Sequence, residues 1–280
     1  MSYGQYRDDR SSAFKMRLII AGVIALISFV MYLGTSSNNP ITGEKQRVSL
    51  SSEDEIALGL NAEPQMIQQY GGLVRDGNAR AMVDRVGGRL LKALNAKLAS
   101  QGRRNPYPFK FHLLADSQTI NAFALPGGQV FITAGLFREL ETEGQLAGVL
   151  GHEVGHVLAR HGAQQLAKQQ LTQGLVGAAG VAGGSADSAR MAQAIGEMVN
   201  MKYGRKDEYE ADDWGVRLMA DAGYDPRAMI GVMKILDRAS QGNKQPEILS
   251  THPNPPNREK RIEAAIKHEF PNGVPAGLEE

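Results

Sequence analysis

The chain has 280 residues, enough for one large or two small domains, and at 42% hydrophobic residues it can bury a core, which excludes wholesale disorder. Its 31 basic and 30 acidic residues nearly cancel, which argues against a dedicated nucleic-acid binder. The absence of cysteine excludes disulfides, thiolate metal sites, cysteine nucleophiles and a lipidated N-terminal cysteine.

In chain order, residues 1–17 form a polar tail and residues 18–34 an apolar segment. Leu18 to Leu33 carries no charge. It lies near the lower limit of a bilayer span, about 17 residues, and exceeds the roughly 7–15 residues of a signal-peptide core. An uncleaved anchor is the favoured reading; a signal peptide cleaved near Gly34-Thr35-Ser36 is the alternative. Lys15 and Arg17 flank the run too abruptly for a buried core helix. Arg7, Arg10, Lys15 and Arg17 precede it, and basic residues stay on the cytoplasmic side. The N-terminus is therefore expected in the cytoplasm and the rest across the membrane. In a bacterium that means a periplasmic domain on the inner membrane. The mitochondrial inner membrane is less favoured, because Asp8 and Asp9 suit a transit peptide poorly.

Residues 35–48 read as a linker, polar over Thr35–Pro40, and residues 49–270 as one domain. Glu53–Tyr70 has helical apolar spacing. Ala79–Leu98 repeats it with a stripe of Met82, Val83, Val86, Leu90, Leu91 and Leu94. Phe109, Phe111 and Leu113 alternate with polar residues, which predicts a strand. Asn121–Leu125, Pro126-Gly127-Gly128 and Gln129–Thr133 read as strand, turn, strand. Glu143–Ala167 reads as one long helix. The Gly/Ala-rich run Gly174–Gly184 is too short to span a bilayer and reads as a loosely packed hairpin; a membrane-touching or gating loop is the alternative. Tyr209–Ala222 is a helix stopped by Gly223-Tyr224-Asp225-Pro226. Further helices are predicted over Pro226–Arg238 and Ile262–His268, then a tail over 271–280. The fold class expected is α+β, mostly α-helical with one small sheet.

His152-Glu153-Val154-Gly155-His156 is H-E-x-x-H. On a helix, residues four apart share a face, so both imidazoles can converge on one ion while Glu153 stands beside it to take a proton from water. A catalytic zinc needs a third protein ligand and one open position. A third histidine six residues on is absent, since Gly162 occupies that place; His161, well off the shared face, reads as structural or supporting. A carboxylate from another helix remains. Glu208 is the first candidate, with Asp207 and Asp213 as alternatives. Asp212, four residues after Glu208, could accept a hydrogen bond from a ligand histidine's other nitrogen. Glu210 points elsewhere and reads as solvated.

These motifs together resemble the HtpX-like, OMA-type and BepA-like gluzincin peptidases, related to the CAAX prenyl endopeptidases. The resemblance is carried by HEVGH with Arg160-His161, by Glu208-Tyr-Glu-Ala-Asp212, and by Asn121-Ala122-Phe123-Ala124-Leu-Pro-Gly127-Gly128. Val130-Phe-Ile-Thr133, Ala222-Gly-Tyr-Asp-Pro226, Ser250-Thr-His252-Pro253 and Arg258 add to it. It runs from about Leu50 to Ile266. It implies a zincin-like domain with the small sheet beside the zinc helix. It also implies one Zn2+ on His152, His156 and Glu208, Glu153 as general base, and Asp212 orienting a ligand histidine. The segment Asn121–Gly128 is implied as the edge of the cleft, where an extended substrate adds as a strand. His252 matches a loop histidine that can cap the zinc; stabilising the oxyanion, or merely forming a turn, stays open. Arg258 would hold that loop through a carboxylate or face the substrate. The implied activity is an endopeptidase acting on unfolded or misassembled envelope proteins. A largely non-cutting, zinc-capped binding or chaperone module is the alternative. With one apolar span, the chamber of multi-spanning relatives is not expected.

Overall fold

The computed structural model describes residues 5–183, 202–241, 246–253 and 257–280. Helix α1 (Gln5–Gly34) contains the apolar segment and extends it towards the N-terminus. Within it, Ser12–Gly34 is long and apolar enough to cross a membrane. Large side chains from Phe14 to Leu33 remain exposed around most of its circumference.

The expected linker is folded. Strands β1 (Ser36–Asn38) and β2 (Lys45–Arg47) form an antiparallel hairpin. Asn39 organises its turn: its Oδ1 accepts the N–H groups of Ile41 and Thr42, and its Nδ2 donates to the carbonyl of Leu158. A polar sequence hid this because the partner carbonyl lies more than a hundred residues away.

Helices α2 (Ser52–Gln69) and α3 (Gly77–Ser100) follow the predicted stripes. Ser51 and Asp54 close a capping box on α2, and the Asp76 carboxylate caps α3. Val83, Val86, Leu90, Leu94 and Leu98 of α3 enter the core. Strands β3 (Lys110–Leu114), β4 (Ala122–Leu125) and β5 (Gln129–Thr133) form a sheet of order β3-β5-β4. β3 runs parallel and β4 antiparallel to the central β5, which leaves β4 at an edge. The turn between β4 and β5 uses Gly127 and Gly128 at φ +85° and +103°. A Cβ at Gly127 would lie 2.4 Å from the Ile56 Cα, so the turn presses onto α2. A short α4 (Ala134–Glu139) leads to α5 (Glu143–Leu158).

The predicted helix over Glu143–Ala167 is two helices. It breaks at Arg160, which adopts a left-handed φ of +57° before α6 (His161–Gly183) begins. Tertiary contacts hold the break. Arg160 is buried, donating to Glu55 Oε2 at 3.0 Å and to the Leu50 carbonyl at 2.7 Å. The Ala159 and Leu158 carbonyls freed at the end of α5 accept from Gln46 and Asn39. The Gly/Ala-rich run, expected as a hairpin, continues α6 as helix to Gly183; Gly184 lies outside the described residues.

Helices α7 (Arg205–Ala222), α8 (Ala228–Ser240), α9 (Ile248–Thr251) and α10 (Arg258–Glu269) complete the chain. α7 begins four residues earlier than its apolar pattern predicted, because its first turn, Arg205–Glu208, is charged and carries no apolar residue to mark it. Residues 271–280, expected as a tail, return to the α7–α8 turn, where Glu279 exchanges backbone hydrogen bonds with Gly223 and Asp225. The main core lies between α3, the sheet, α5, α7 and α8.

Candidate metal centre

α5 is buried along nearly its whole length, from Gly144 to Leu158. That explains its near-continuous apolar sequence. It crosses α7 at glycines. A Cβ on Gly155 would meet the Ala211 carbonyl and Trp214 Cβ at 2.9 Å, and one on Gly151 would meet the Gly215 Cα at 3.3 Å. The close crossing brings Glu208 and Asp212, one turn apart on α7, against His152 and His156, one turn apart on α5. Glu208 and Asp212 are both fully buried.

Four donors converge: His152, His156, Glu208 and His252. His152 Nε2 lies 3.1 Å from His156 Nε2 and 3.6 Å from Glu208 Oε2, and His156 Nε2 lies 3.5 Å from Glu208 Oε1. His252 Nδ1 lies 3.4 Å from His152 Nε2 and 3.1 Å from Glu208 Oε1. Tetrahedral zinc, with bonds of about 2.0–2.1 Å, separates its ligand atoms by roughly 3.3 Å. The donor set matches that spacing. Both Glu153 oxygens and His252 Nε2 are buried without a hydrogen-bond partner among the described residues, while Glu208 Oε2, also without one, has an ion-pair contact. Leaving such groups bare costs about 1–3 kcal/mol each, a cost that a cation and its water relieve. The residues present therefore fit a zinc ion.

Supporting groups fix the imidazoles. His152 Nδ1 lies 2.8 Å from Asp212 Oδ1. Arg258 donates to both Asp212 oxygens, each at 2.8 Å, and its Nη1 lies 3.2 Å from Glu208 Oε2. These contacts pair it with two carboxylates of α7. Burial pushes Asp212 up, but the charge and hydrogen bonds of Arg258 together with His152 outweigh it and hold the carboxyl below its ordinary range. Burial likewise opposes ionisation of Glu208; the facing His252, with His156 and His152, holds it well below the usual carboxylate range. Burial drives His156 well below the ordinary imidazole value, leaving a neutral ring with a lone pair to offer. His252 is raised, because Glu153 and Glu208 outweigh its burial.

One reading is corrected, that of Glu210. His161, read as structural or supporting, turns back past the break at Arg160 so that its Nδ1 lies 2.9 Å from His156 Nδ1. Glu210 is half-buried rather than solvated, with Oε2 at 3.2 Å from His161 Nε2. If His156 Nε2 faces the cluster as a lone pair, its Nδ1–H donates to His161, whose Nε2–H donates to Glu210. Nothing in the sequence marks this relay, since a continuous helix would carry His161 away. Tyr203 is a second residue that sequence spacing missed; its ring stacks on His156 at 4.1 Å.

Glu153 stands beside the cluster, with Oε1 at 3.7 Å from His252 Nε2. Of the segment expected to bind substrate, Ala122 and Phe123 are buried and Ala124 is partly exposed on the edge strand. Phe123 stacks on Phe131 within the core, and Gly127 and Gly128 form the turn against α2. The Asn121 side chain donates to Glu247 Oε1 at 2.8 Å, an oxygen that also accepts from the Tyr70 hydroxyl at 2.5 Å. The Ile248 N–H donates to the Ile120 carbonyl. The segment carrying His252 is thus latched to the start of β4.

The sequence profile of peptidase family M48 matches residues 82–266. The chain is 35% identical over 211 residues to the beta-barrel assembly-enhancing protease of Escherichia coli (strain K12), covering 72% of this chain and 43% of that protein. It is 33% identical over 153 residues to the mitochondrial metalloendopeptidase OMA1 of Arabidopsis thaliana, covering 55% of this chain and 31% of that one. Against the Schizosaccharomyces pombe protein of the same name it is 28% identical over 260 residues, 92% of this chain and 72% of that one. The chain spans less than half the length of the bacterial relative. With the profile covering more than half of the sequence and the donor set assembled, the chain belongs to peptidase family M48, a family of zinc metallopeptidases.

Proposed function

We propose that this protein is a membrane-anchored zinc endopeptidase that cleaves unfolded or misassembled polypeptides of the cell envelope. The observation that carries the reading is the donor set of His152, His156 and Glu208 at zinc spacing with Glu153 unpartnered beside it. The envelope setting is supported by the apolar N-terminal helix and by the name of the bacterial relative. The basic flank of α1 supports a periplasmic domain; the OMA1 relatives make a mitochondrial membrane the competing location.

His152, His156 and Glu208 would hold the ion, with Asp212 and Arg258 orienting His152. When bound, zinc supplies a Lewis acid that acidifies a water and polarises the scissile carbonyl. A Glu153 carboxylate oxygen takes the proton of the attacking water as that water adds to the carbonyl carbon. The same oxygen returns the proton to the leaving amide nitrogen. The edge of β4, unpaired among the described residues, offers backbone groups to an extended peptide.

The test is zinc content and casein cleavage by the full chain in detergent. Glu153→Gln is expected to keep one zinc per chain and to lose about 10²–10⁴-fold in cleavage. Retained cleavage would refute the mechanism, and absence of zinc the site.

One observation favours a second reading, of a largely latent enzyme. His252 Nδ1 occupies the fourth corner of the donor set, the position a catalytic zinc keeps open. Glu247, Tyr70 and Asn121 hold its segment there. Under this reading His252→Ala raises cleavage at least tenfold. A fall instead would favour a role for His252 in stabilising the oxyanion.

A further inference from the structure

The helix that follows the metal-binding helix packs along the anchor. Ala21 is buried on α1, and Ile24, Ala25, Ser28 and Tyr32 on the same face are half-buried; α6 is the element that covers them. The two helices run antiparallel. The β1–β2 hairpin that follows Gly34 meets the start of α6, through Gln46 on the Ala159 carbonyl and Asn39 on the Leu158 carbonyl. Farther along α6, Gly174 sits against Ser28, so closely that a Cβ there would lie 2.2 Å from the Ser28 Oγ.

That contact fixes the register. Ser28 is six residues before Gly34, and Lys168 is six residues before Gly174, so Lys168 lies level with Gly34. Lys168 is also the last charged residue of α6: from Gln169 to Gly183 there is none. The uncharged run of α6 therefore begins at the level where the uncharged run of α1, Leu18–Gly34, ends with its helix. The same level is marked on α1 by Tyr32, with the Arg47 guanidinium over its ring and donating to the Tyr32 and Leu33 carbonyls. Tyrosine and arginine are frequent at a membrane–water interface. Below that level, the exposed side chains of α1 include Val23, Leu26, Ile27 and Val30, and on α6 Leu175 is 44% exposed. Gln170, Thr172 and Gln173, nearest that level, are exposed and polar, and the apolar surface of the anchor resumes on its neighbour at Leu175.

The packing also suits lipid better than water. Gly174 faces Ser28, and Ala178 one turn on is buried, as is Ala21 on α1; such small residues bury little apolar area and so gain little from leaving water. Close backbone approach through small residues is how helices associate within a bilayer, where van der Waals contact suffices.

We infer that α6 is a second membrane-embedded helix, lying from about Gly174 onward among lipid acyl chains beside α1, with the polar stretch Gln169–Gln173 at headgroup depth. This deepens the proposed function and rests on α1 being the anchor. His161 is thirteen residues before Gly174, about 20 Å along the helix, while Ser28 lies about 9 Å below Gly34. The metal centre, joined to His161, then sits about 10 Å above the bilayer surface. The substrate class this height suits is polypeptide presented at that surface.

The absence of native cysteine makes the test direct. The full chain is reconstituted in phosphatidylcholine vesicles containing lipid brominated on its acyl chains. Single variants Leu175→Cys, Val23→Cys, Lys168→Cys and Ser100→Cys carry an environment-sensitive fluorophore, and zinc content checks that each is folded. Leu175 is expected to be quenched at least half as strongly as Val23, Lys168 weakly, and Ser100, on the exposed end of α3, not at all. An unquenched Leu175 beside a quenched Val23 overturns the inference while leaving the anchor intact. An unquenched Val23 removes the anchor and the inference with it. Casein cleavage, measured separately, decides the peptidase reading on its own.

Discussion

Between His156 and solvent stand His161 and Glu210, in a line of contacts of 2.9 Å and 3.2 Å. A hydrogen-bonded partner fixes which nitrogen of an imidazole keeps its lone pair, and losing one weakens metal binding about 10–100-fold. His161→Ala is therefore expected to weaken zinc about 10–100-fold in competition with a chromogenic chelator, and Glu210→Gln to weaken it less. Unchanged affinity in His161→Ala would reduce that residue to packing. His152 has its own support in Asp212 and Arg258, so the two proposed histidine ligands are positioned by separate networks. Effects at His161 and Asp212 should then combine nearly additively.

At the scale of elements, the crossing of α5 over α7 sets the distance between the histidines and Glu208. Gly155 lies at the contact, where a Cβ would press on Ala211 and Trp214 at 2.9 Å. Gly88, exposed on α3, has open space around the same built atom. Replacing a mid-helix glycine with alanine stabilises by roughly 0.5–1 kcal/mol where nothing interferes. Gly88→Ala is expected to raise the melting temperature. Gly155→Ala is expected to lower it, because α7 must shift, and to weaken zinc as Glu208 moves with α7. A melting temperature raised by both would show that the crossing has slack. The break at Arg160 is the other decisive element. It ends α5 two residues after His156 and starts α6 in a direction that brings His161 back.

For the whole molecule, the proposed ligands come from three separate stretches of chain: α5, α7 and, in the capped form, the segment after α9. An ion bound there ties them together and stabilises only the folded state. At a free zinc concentration a hundred times Kd this is worth about 2.7 kcal/mol. A domain of this size loses roughly 2–4 °C in Tm per kcal/mol. Stripping zinc with a chelator is expected to lower Tm by about 5–10 °C, fully restored by added zinc. No shift in the intact chain would mean that the donor set is preorganised and empty of metal in use.

Local chemistry was legible in the sequence. His152, Glu153 and His156 announce themselves by a spacing of four on a helix. Glu208 and Asp212 repeat that spacing, and the glycine–proline punctuation marks the end of α7. These depend only on helix periodicity and on residue chemistry, which neighbours in sequence define. What tertiary structure decided is what distant contacts impose. Arg160 takes a left-handed conformation because Glu55 and the Leu50 carbonyl receive its guanidinium. The polar linker folds because Asn39 finds the end of α5. Glu210 leaves solvent because His161 reaches it. Gly174, read as part of a loose hairpin, is helical against Ser28, almost 150 residues earlier. In each case the deciding partner lies far along the chain, beyond the reach of any periodicity.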